Sequence, residues 1–361
     1  MEIEVCNRGM QMNYVLNEKI RNLQPYEPIS GTYKIRLDAN ECPENYPKEI
    51  LDQIKNSIDD IAFNRYPDPM ATEVVNSFAE YYGINPKYVT AGNGSDELIS
   101  IIESAFTQKG DKMLVASPDF SMYGFYSSIC EIVCEIFLKD DELNIDIDEM
   151  IKKVNDDNIS LLIFSNPCNP TGQGIETAQI RKLVTSVKAL VVLDEAYMDF
   201  WSESLLREVE NYSNLIILRT ASKAIGSAGL RLGFAVANET ITNAIKAVKS
   251  PYNINSVSQV IGNIIYKNKD YLKNREKNIV INTQTLYNDL SSISKNVDDF
   301  KVFKTCANFI LIKTSFGKDL WEYLKANSIV IRYMGDYIRI STGTQEENNQ
   351  LVECLKKYFE R

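Results

Sequence analysis

Four short runs hold residue types that could do chemistry near neutral pH, and each follows an apolar stretch. The first is Thr220-Ala221-Ser222-Lys223, with Arg231 eight residues on. It comes directly after Leu215–Arg219, which reads as a buried strand. A lysine at the carboxyl end of a buried parallel strand stands where such sheets bind ligands. Desolvation lowers the proton affinity of an amine and makes it a nucleophile able to form a Schiff base. The hydroxyls of Thr220 and Ser222 and the guanidinium of Arg231 suit a phosphate. Taken alone, the same four residues read equally well as a solvated loop.

The second run is Val191-Val192-Leu193-Asp194-Glu195-Ala196-Tyr197. A carboxylate ending a buried strand needs a cationic or N–H partner, or it costs several kcal/mol. A protonated ring nitrogen would be such a partner and would turn the ring into an electron sink. Tyr197 is spaced to reach an oxygen on that ring. An Asp-Glu pair after an apolar strand also fits a magnesium-binding Walker-B element, but no Gly-x-x-x-x-Gly-Lys-Ser/Thr completes that reading. The third run, Asn166-Pro167-Cys168-Asn169-Pro170-Thr171-Gly172, reads as a tight turn. Asn169 in it is placed to hydrogen-bond a phenolic oxygen. The fourth, Gly92-Asn93-Gly94-Ser95-Asp96-Glu97, puts glycines before a helix start, where backbone N–H groups gather an anion. Ser95 or Asp96 could equally be a helix cap.

What the chain lacks narrows the chemistry. None of its 361 residues is histidine, which excludes His-based triads, His metal ligands and His acid–base catalysis. Proton transfer must then use a perturbed Lys, carboxylate, Tyr or Cys, or a cofactor. Seven cysteines without regular spacing, and no histidine to join Cys130 and Cys134, argue against a metal site and for reduced thiols in the cytoplasm. The net charge of −10 argues against a nucleic-acid groove. It leaves room for a local cationic pocket. No apolar run reaches the roughly 18–20 residues of a membrane span. The segment Met1–Gln11, with Glu2, Glu4 and Arg8, does not read as a secretory signal.

These runs need a scaffold. Apolar stretches at Tyr88–Ala91, Lys112–Ala116, Ile132–Phe137, Leu161–Ser165, Leu190–Leu193, Leu215–Arg219 and Leu232–Val236 predict strands. Several are near-continuously apolar, as strands buried on both faces are, which implies an α/β fold with helices on both sides of a mostly parallel sheet. Helices are expected at Asp96–Phe106, Glu176–Ser186, Ser256–Lys267 and Tyr271–Ser291. The last sixty or so residues change rhythm, with strands near Lys301–Phe303, Asn308–Lys313, Ile329–Arg332 and Tyr337–Ser341, a helix at Gly317–Ala326 and another at Glu346–Tyr358. That pattern predicts a smaller α+β domain.

Together, Asn169, Asp194, Tyr197, Lys223 and Arg231 resemble the signature of the fold-type I class I/II aminotransferases, which use pyridoxal 5'-phosphate (PLP). The likeness extends to the histidinol-phosphate aminotransferase branch of that family. It rests there on Leu37 to Glu41, Arg65 to Pro69, Gly92 to Glu97, Phe120 to Tyr123, Arg219 to Lys223, Gly229 to Gly233, Pro251 to Asn255 and Ile338 to Ser341 with Gly343-Thr344. The resemblance implies a seven-stranded, mostly parallel sheet in a large domain at 46–250 and a small C-terminal domain at 251–361. It also implies an N-terminal segment, 1–45, that joins the small domain and a dimer interface.

For the site, the resemblance implies that Lys223 carries PLP and moves the substrate's proton. Asp194 pairs with the ring nitrogen, Asn169 and Tyr197 bond the ring oxygen, and Tyr123 stacks on the ring. Gly94, Ser95, Asp96, Thr220, Ser222 and Arg231 surround the phosphate, with Tyr66 reaching in from the other subunit of a homodimer that shares its active sites. Tyr26, Asn40, Arg332 and Arg339 face substrates, namely glutamate or 2-oxoglutarate and an amino-alcohol phosphate. The implied reaction is amino transfer in histidine biosynthesis. A threonine-phosphate decarboxylase, an aromatic amino-acid aminotransferase and a non-catalytic PLP-binding protein are the alternatives. Two positions depart from the family pattern. Cys168 replaces the usual Asn and puts an oxidation-sensitive thiol beside Asn169. The stretch Tyr333-Met334-Gly335-Asp336 is trimmed beside the expected distal phosphate site.

Overall fold

The computed structural model describes residues 14–21, 23–25 and 29–361. By contacts the chain divides into two units, residues 1–31 and residues 32–361. The described part of the first includes one short helix, Glu18–Arg21. The second contains both sheets.

Its larger sheet has seven strands in the order Val89–Gly92, Gly233–Ala237, Leu215–Thr220, Leu190–Asp194, Leu161–Ser165, Lys112–Ser117 and Val133–Leu138. The last five run parallel to one another, and Gly233–Ala237 is antiparallel to both of its neighbours. Leu161–Ser165 and Leu215–Thr220 are buried at every position. Their apolar side chains point alternately into two cores: Leu162, Phe164, Leu215 and Ile217 pack on one face, and Leu161, Ile163, Ile216 and Leu218 on the other. Burial on both faces is what their unbroken apolar sequence requires.

The smaller sheet has five strands in the order Ile35–Leu37, Ile329–Met334, Tyr337–Ser341, Phe309–Lys313 and Lys301–Val302. Its first strand comes from near the start of the chain and pairs in parallel with Ile329–Ile331. The helix Lys269–Ser294 contributes residues to the core beneath this sheet through Leu286, Leu290 and Ile293. Thr344 and Glu347 form a reciprocal capping box that starts the final helix, Gln345–Phe359. Gly335-Asp336 make a two-residue hairpin between Met334 and Tyr337, with Gly335 at φ 71°. That turn favours glycine at a positive φ, and its tightness is the structural form of the trimmed stretch.

One buried group is out of keeping with the core. Glu103, on the helix Ser95–Phe106, is fully enclosed and neither carboxylate oxygen has a hydrogen-bond partner. Burial pushes it from 4.5 up to about 8. The native chain therefore holds a proton there that the unfolded chain releases, and wild-type stability falls as pH rises from about 4.5 to about 8. Glu103→Gln removes that penalty. The melting temperature of the variant minus that of the wild type should be more positive at pH 8 than at pH 5. A difference independent of pH would mean that the carboxyl has a partner that stabilises its charge.

Candidate active site

The site forms where three adjacent parallel strands end. Ser165, Asp194 and Leu218 stand side by side in the sheet register. The chain continues from each end into Asn169, Tyr197 and Lys223 respectively. Ser165 Oγ accepts from Asn169 N at 3.0 Å, which fixes the turn carrying that amide. Asn166 closes the same turn, accepting from Ile175 N (2.8 Å) and donating to Ile175 O (3.1 Å). The two asparagines thus divide the work: Asn166 holds the loop, and Asn169 Oδ1 accepts from Arg339 Nη1 at 2.5 Å.

Asp194 is the buried carboxylate of this group. Its Oδ2 accepts from the Tyr123 hydroxyl at 3.0 Å and its Oδ1 from Ala196 N at 3.1 Å. These contacts do not offset burial, which pushes the group up to about 7. A carboxyl this enclosed keeps its charge only beside a cation. The N–H of a protonated pyridine ring is a group of that kind, so the expected cofactor fits the donor set here.

A phosphate fits a second place nearby. Thr220 Oγ1 donates to Ser222 Oγ (3.0 Å) and accepts from Ser222 N (3.1 Å). Arg231 Nη1 lies 3.5 Å from Ser222 Oγ, and its Nη2 donates to Asp96 Oδ2 at 3.2 Å. The turn at Gly94, with φ 86°, is pressed against the strand start at Gly233, where an added side-chain carbon would collide with the Gly94–Ser95 backbone. That approach sets the first N–H groups of the helix Ser95–Phe106 beside the Arg231 guanidinium. Helix N–H groups, hydroxyls and a guanidinium converge as an anion cradle. Arg231 itself adopts a left-handed φ of 52°. A non-glycine residue held there is a cost found where function fixes a side chain.

Lys223 and Tyr197 meet a segment that the sequence did not single out for them. Lys223 Nζ donates to Ala39 O at 3.1 Å and lies 5.7 Å from the centre of the Tyr197 ring. Asn40 Nδ2 donates to the Tyr197 hydroxyl at 3.0 Å, and Asn40 is itself held by Ser341 and by Asn308. Arg339 Nη2 donates to Asp38 O at 2.8 Å. Residues 38–40 therefore link Lys223, Tyr197 and Arg339. In the small sheet Arg332 stands directly opposite Arg339 on the neighbouring antiparallel strand.

Tyr123 is completely buried and offers no open face for stacking; its hydroxyl is spent on Asp194. Phe120, half-buried and edge-on to Tyr123 at 5.6 Å, is the ring at that wall with exposed surface. Asp96 carries the same sign as a phosphate, and the group it meets is Arg231. Tyr66 is exposed and stacked on Tyr252 at 4.6 Å, without a described contact to the cradle in its own chain. Tyr26 lies outside the described residues.

Two sets of supporting residues escaped the sequence reading. Arg219, buried, bridges Glu195 (2.9 Å) and Asp199 (2.8 Å), tying the segment after Asp194 to the strand before Lys223. The available signal was a charge in the run Leu215-Ile216-Ile217-Leu218-Arg219, since a buried guanidinium must find carboxylates. Asp119 accepts from Ser165 N (3.1 Å) and from the Ser165 hydroxyl. It lies two residues past the end of the strand Lys112–Ser117, whereas Asp194 is the last residue of its own strand.

Comparison with known proteins places the chain in a family. The model for aminotransferase class I and II matches residues 32–355. A histidinol-phosphate aminotransferase of Clostridium novyi (strain NT) is 40% identical over 347 residues, which cover 95% of this chain and 96% of that protein. The crystal structure of the histidinol-phosphate aminotransferase from Clostridium acetobutylicum is 25% identical with a TM-score of 0.82, covering 90% of this chain and 99% of that one. The enzyme of the same description from Sinorhizobium meliloti, solved in complex with pyridoxal-5'-phosphate, shares the fold at a TM-score of 0.86 and 20% identity, covering 98% of this chain and 99% of that one. With a match running from residue 32 to residue 355 and a relative aligned along nearly its whole length, this chain belongs to the class I and II aminotransferases.

Proposed function

We propose that this aminotransferase uses pyridoxal phosphate to move an amino group between glutamate and histidinol phosphate. The observation that carries the substrate is the pair Arg332 and Arg339, directly opposite on adjacent strands. Two guanidiniums on one face attract anions, and either fork can take a carboxylate or a phosphate. A pocket that must accept glutamate in one half-reaction and a phosphorylated chain in the other needs this versatility.

Bound PLP supplies the electron-withdrawing ring that makes the substrate Cα–H acidic. In our reading the chain's own residues do the rest. The Lys223 amine would take up the substrate's Cα proton and hold it for return. Asp194 holds the ring nitrogen protonated, and Tyr123 and Ala196 N fix the direction of its carboxylate. Thr220, Ser222, Arg231 and the Gly94–Ser95 turn anchor the phosphate. Asn169 and Tyr197 orient the ring oxygen, and Asn40 sets the Tyr197 hydroxyl. The exposed Phe63, Tyr66, Met70 and Tyr252 suit a surface covered by a second copy, which would bring Tyr66 to the neighbouring site. The six described cysteines form no disulfide, in keeping with a cytoplasmic enzyme.

The test is a parallel assay of histidinol phosphate, phenylalanine and threonine phosphate with 2-oxoglutarate. Histidinol phosphate should give the highest kcat/KM. A preference for phenylalanine, or release of carbon dioxide from threonine phosphate, would overturn the substrate. Arg332→Ala separates the phosphate contact from the rest. Hydrogen bonds to charged groups contribute about 1.5–3 kcal/mol, a loss of roughly 10- to 150-fold in kcat/KM for the phosphorylated substrate. Unphosphorylated histidinol should lose far less. Equal losses would make Arg332 a structural residue.

A further inference from the structure

Cys168 lies in the turn that carries Asn169, and Lys139 directly follows the outer strand Val133–Leu138. Lys139 Nζ lies 2.8 Å from Cys168 Sγ and 2.8 Å from Pro118 O. The thiol also reaches Pro118 O at 3.5 Å, and Asp119 and Thr171 face it as well. An N–H···O bond spans about 2.7–3.2 Å, and sulfur is a larger acceptor than oxygen. Nitrogen and sulfur are therefore in closer contact than an ordinary N–H···S bond provides. Their separation is near the span of one oxygen atom bonded to both.

We propose that Lys139 and Cys168 are an oxidative cross-linking site, joined by a nitrogen–oxygen–sulfur bridge when the enzyme meets hydrogen peroxide. In the first step peroxide converts the thiol to a sulfenic acid and leaves as one water. In the second, the Lys139 nitrogen bonds to the sulfenic oxygen while the S–O bond is kept. One N–H and the O–H are lost, and a second peroxide takes up the two electrons and two protons as two waters. The chain gains one oxygen and loses two hydrogens, about 14 Da in all.

The contact decides the product more than the rate. Burial holds the Cys168 thiol above its ordinary range, so it is a slow nucleophile. Once oxidised, the sulfur has an amine already in contact, and such placement raises the effective concentration of a reactant by orders of magnitude. The bridge would staple the end of the outer strand to the turn bearing Asn169.

The experiment uses the full-length holoenzyme treated with hydrogen peroxide, followed by intact mass and non-reducing peptide mapping. The expected result is a gain of about 14 Da, a fragment joining the Lys139 and Cys168 peptides, and return to the starting mass with dithiothreitol. Cys168→Ser should remove the fragment, and Lys139→Arg should leave Cys168 with oxygen additions and no cross-link. Three wild-type results overturn the proposal: oxygen additions at Cys168 without a joined peptide, a joined peptide that has lost two hydrogens and gained no oxygen, or an unmodified Cys168 while other thiols react.

Discussion

Lys223→Ala is expected to abolish multiple turnover and leave the fold nearly unchanged. The two halves of that expectation have separate physical grounds. The amine is assigned both covalent attachment of the cofactor and transfer of the Cα proton, and a positioned acid–base group alone contributes about 10²–10⁴-fold. Loss of both roles should carry activity beyond that range. Structurally, the described contacts of the amine are one hydrogen bond to Ala39 O and its approach to the Tyr197 ring. A hydrogen bond of that kind contributes about 0.5–1.5 kcal/mol net. The segment at residues 38–40 keeps its other ties, through Asn40 to Tyr197 and Ser341 and through Asp38 O to Arg339. Circular dichroism and thermal melts should therefore resemble the wild type while steady-state assays fall to background. Appreciable multiple turnover in a properly folded variant would refute the role of Lys223. Collapse of the fold would mean that Lys223 is needed to hold residues 38–40 in place.

The parts of this site that could be read from the sequence are those where residue type and strand position coincide. Asp194 and Lys223 end or closely follow runs that are apolar because both sheet faces are covered, so a polar residue there is conspicuous. The phosphate cradle was legible as glycines before a helix start and as the hydroxyls and guanidinium of Thr220, Ser222 and Arg231; the close approach of Gly233 to the Gly94 turn was not. What was hidden depends on backbone groups or on orientation. Ile35–Leu37 is three residues long, too short for a period, and its partner strand lies near the other end of the chain. Ala39 O and Asp38 O act through carbonyls, which every residue type possesses. Tyr123 announced an aromatic ring at the right place, but which part of it is enclosed depends on packing around it, and packing turned its hydroxyl toward Asp194. The opposition of Arg332 and Arg339 follows from the two-residue Gly335-Asp336 turn. Its length was visible as a deletion; the register that it imposes was not.

Asp194→Asn tests the electrostatic centre of the site, and here the expected loss is about 10³-fold or more in the chemical step. The substitution keeps size and shape. An asparagine oxygen can still accept from the Tyr123 hydroxyl or from Ala196 N, so the local hydrogen bonds have a route to survive. What disappears is the negative charge, in a place so enclosed that burial alone pushes the acid up to about 7. A protonated ring nitrogen beside the wild-type group would reverse that shift, because each charge stabilises the other in a site that solvates neither. With asparagine there a bound ring nitrogen would lack its counter-charge, and the pull that PLP exerts on the substrate's electrons would weaken. Thermal stability of the cofactor-free variant should rise toward neutral pH relative to wild type. The wild-type acid binds an extra proton between about 3.8 and about 7 and loses stability across that window, and the amide does not. Single-turnover kinetics with glutamate would report the chemical step, and melts of the cofactor-free protein at pH 4 and pH 7 would report the titration. A near-normal rate would remove the ring-nitrogen pairing, even if the melts behaved as expected, because a buried acid can titrate without taking part in the reaction.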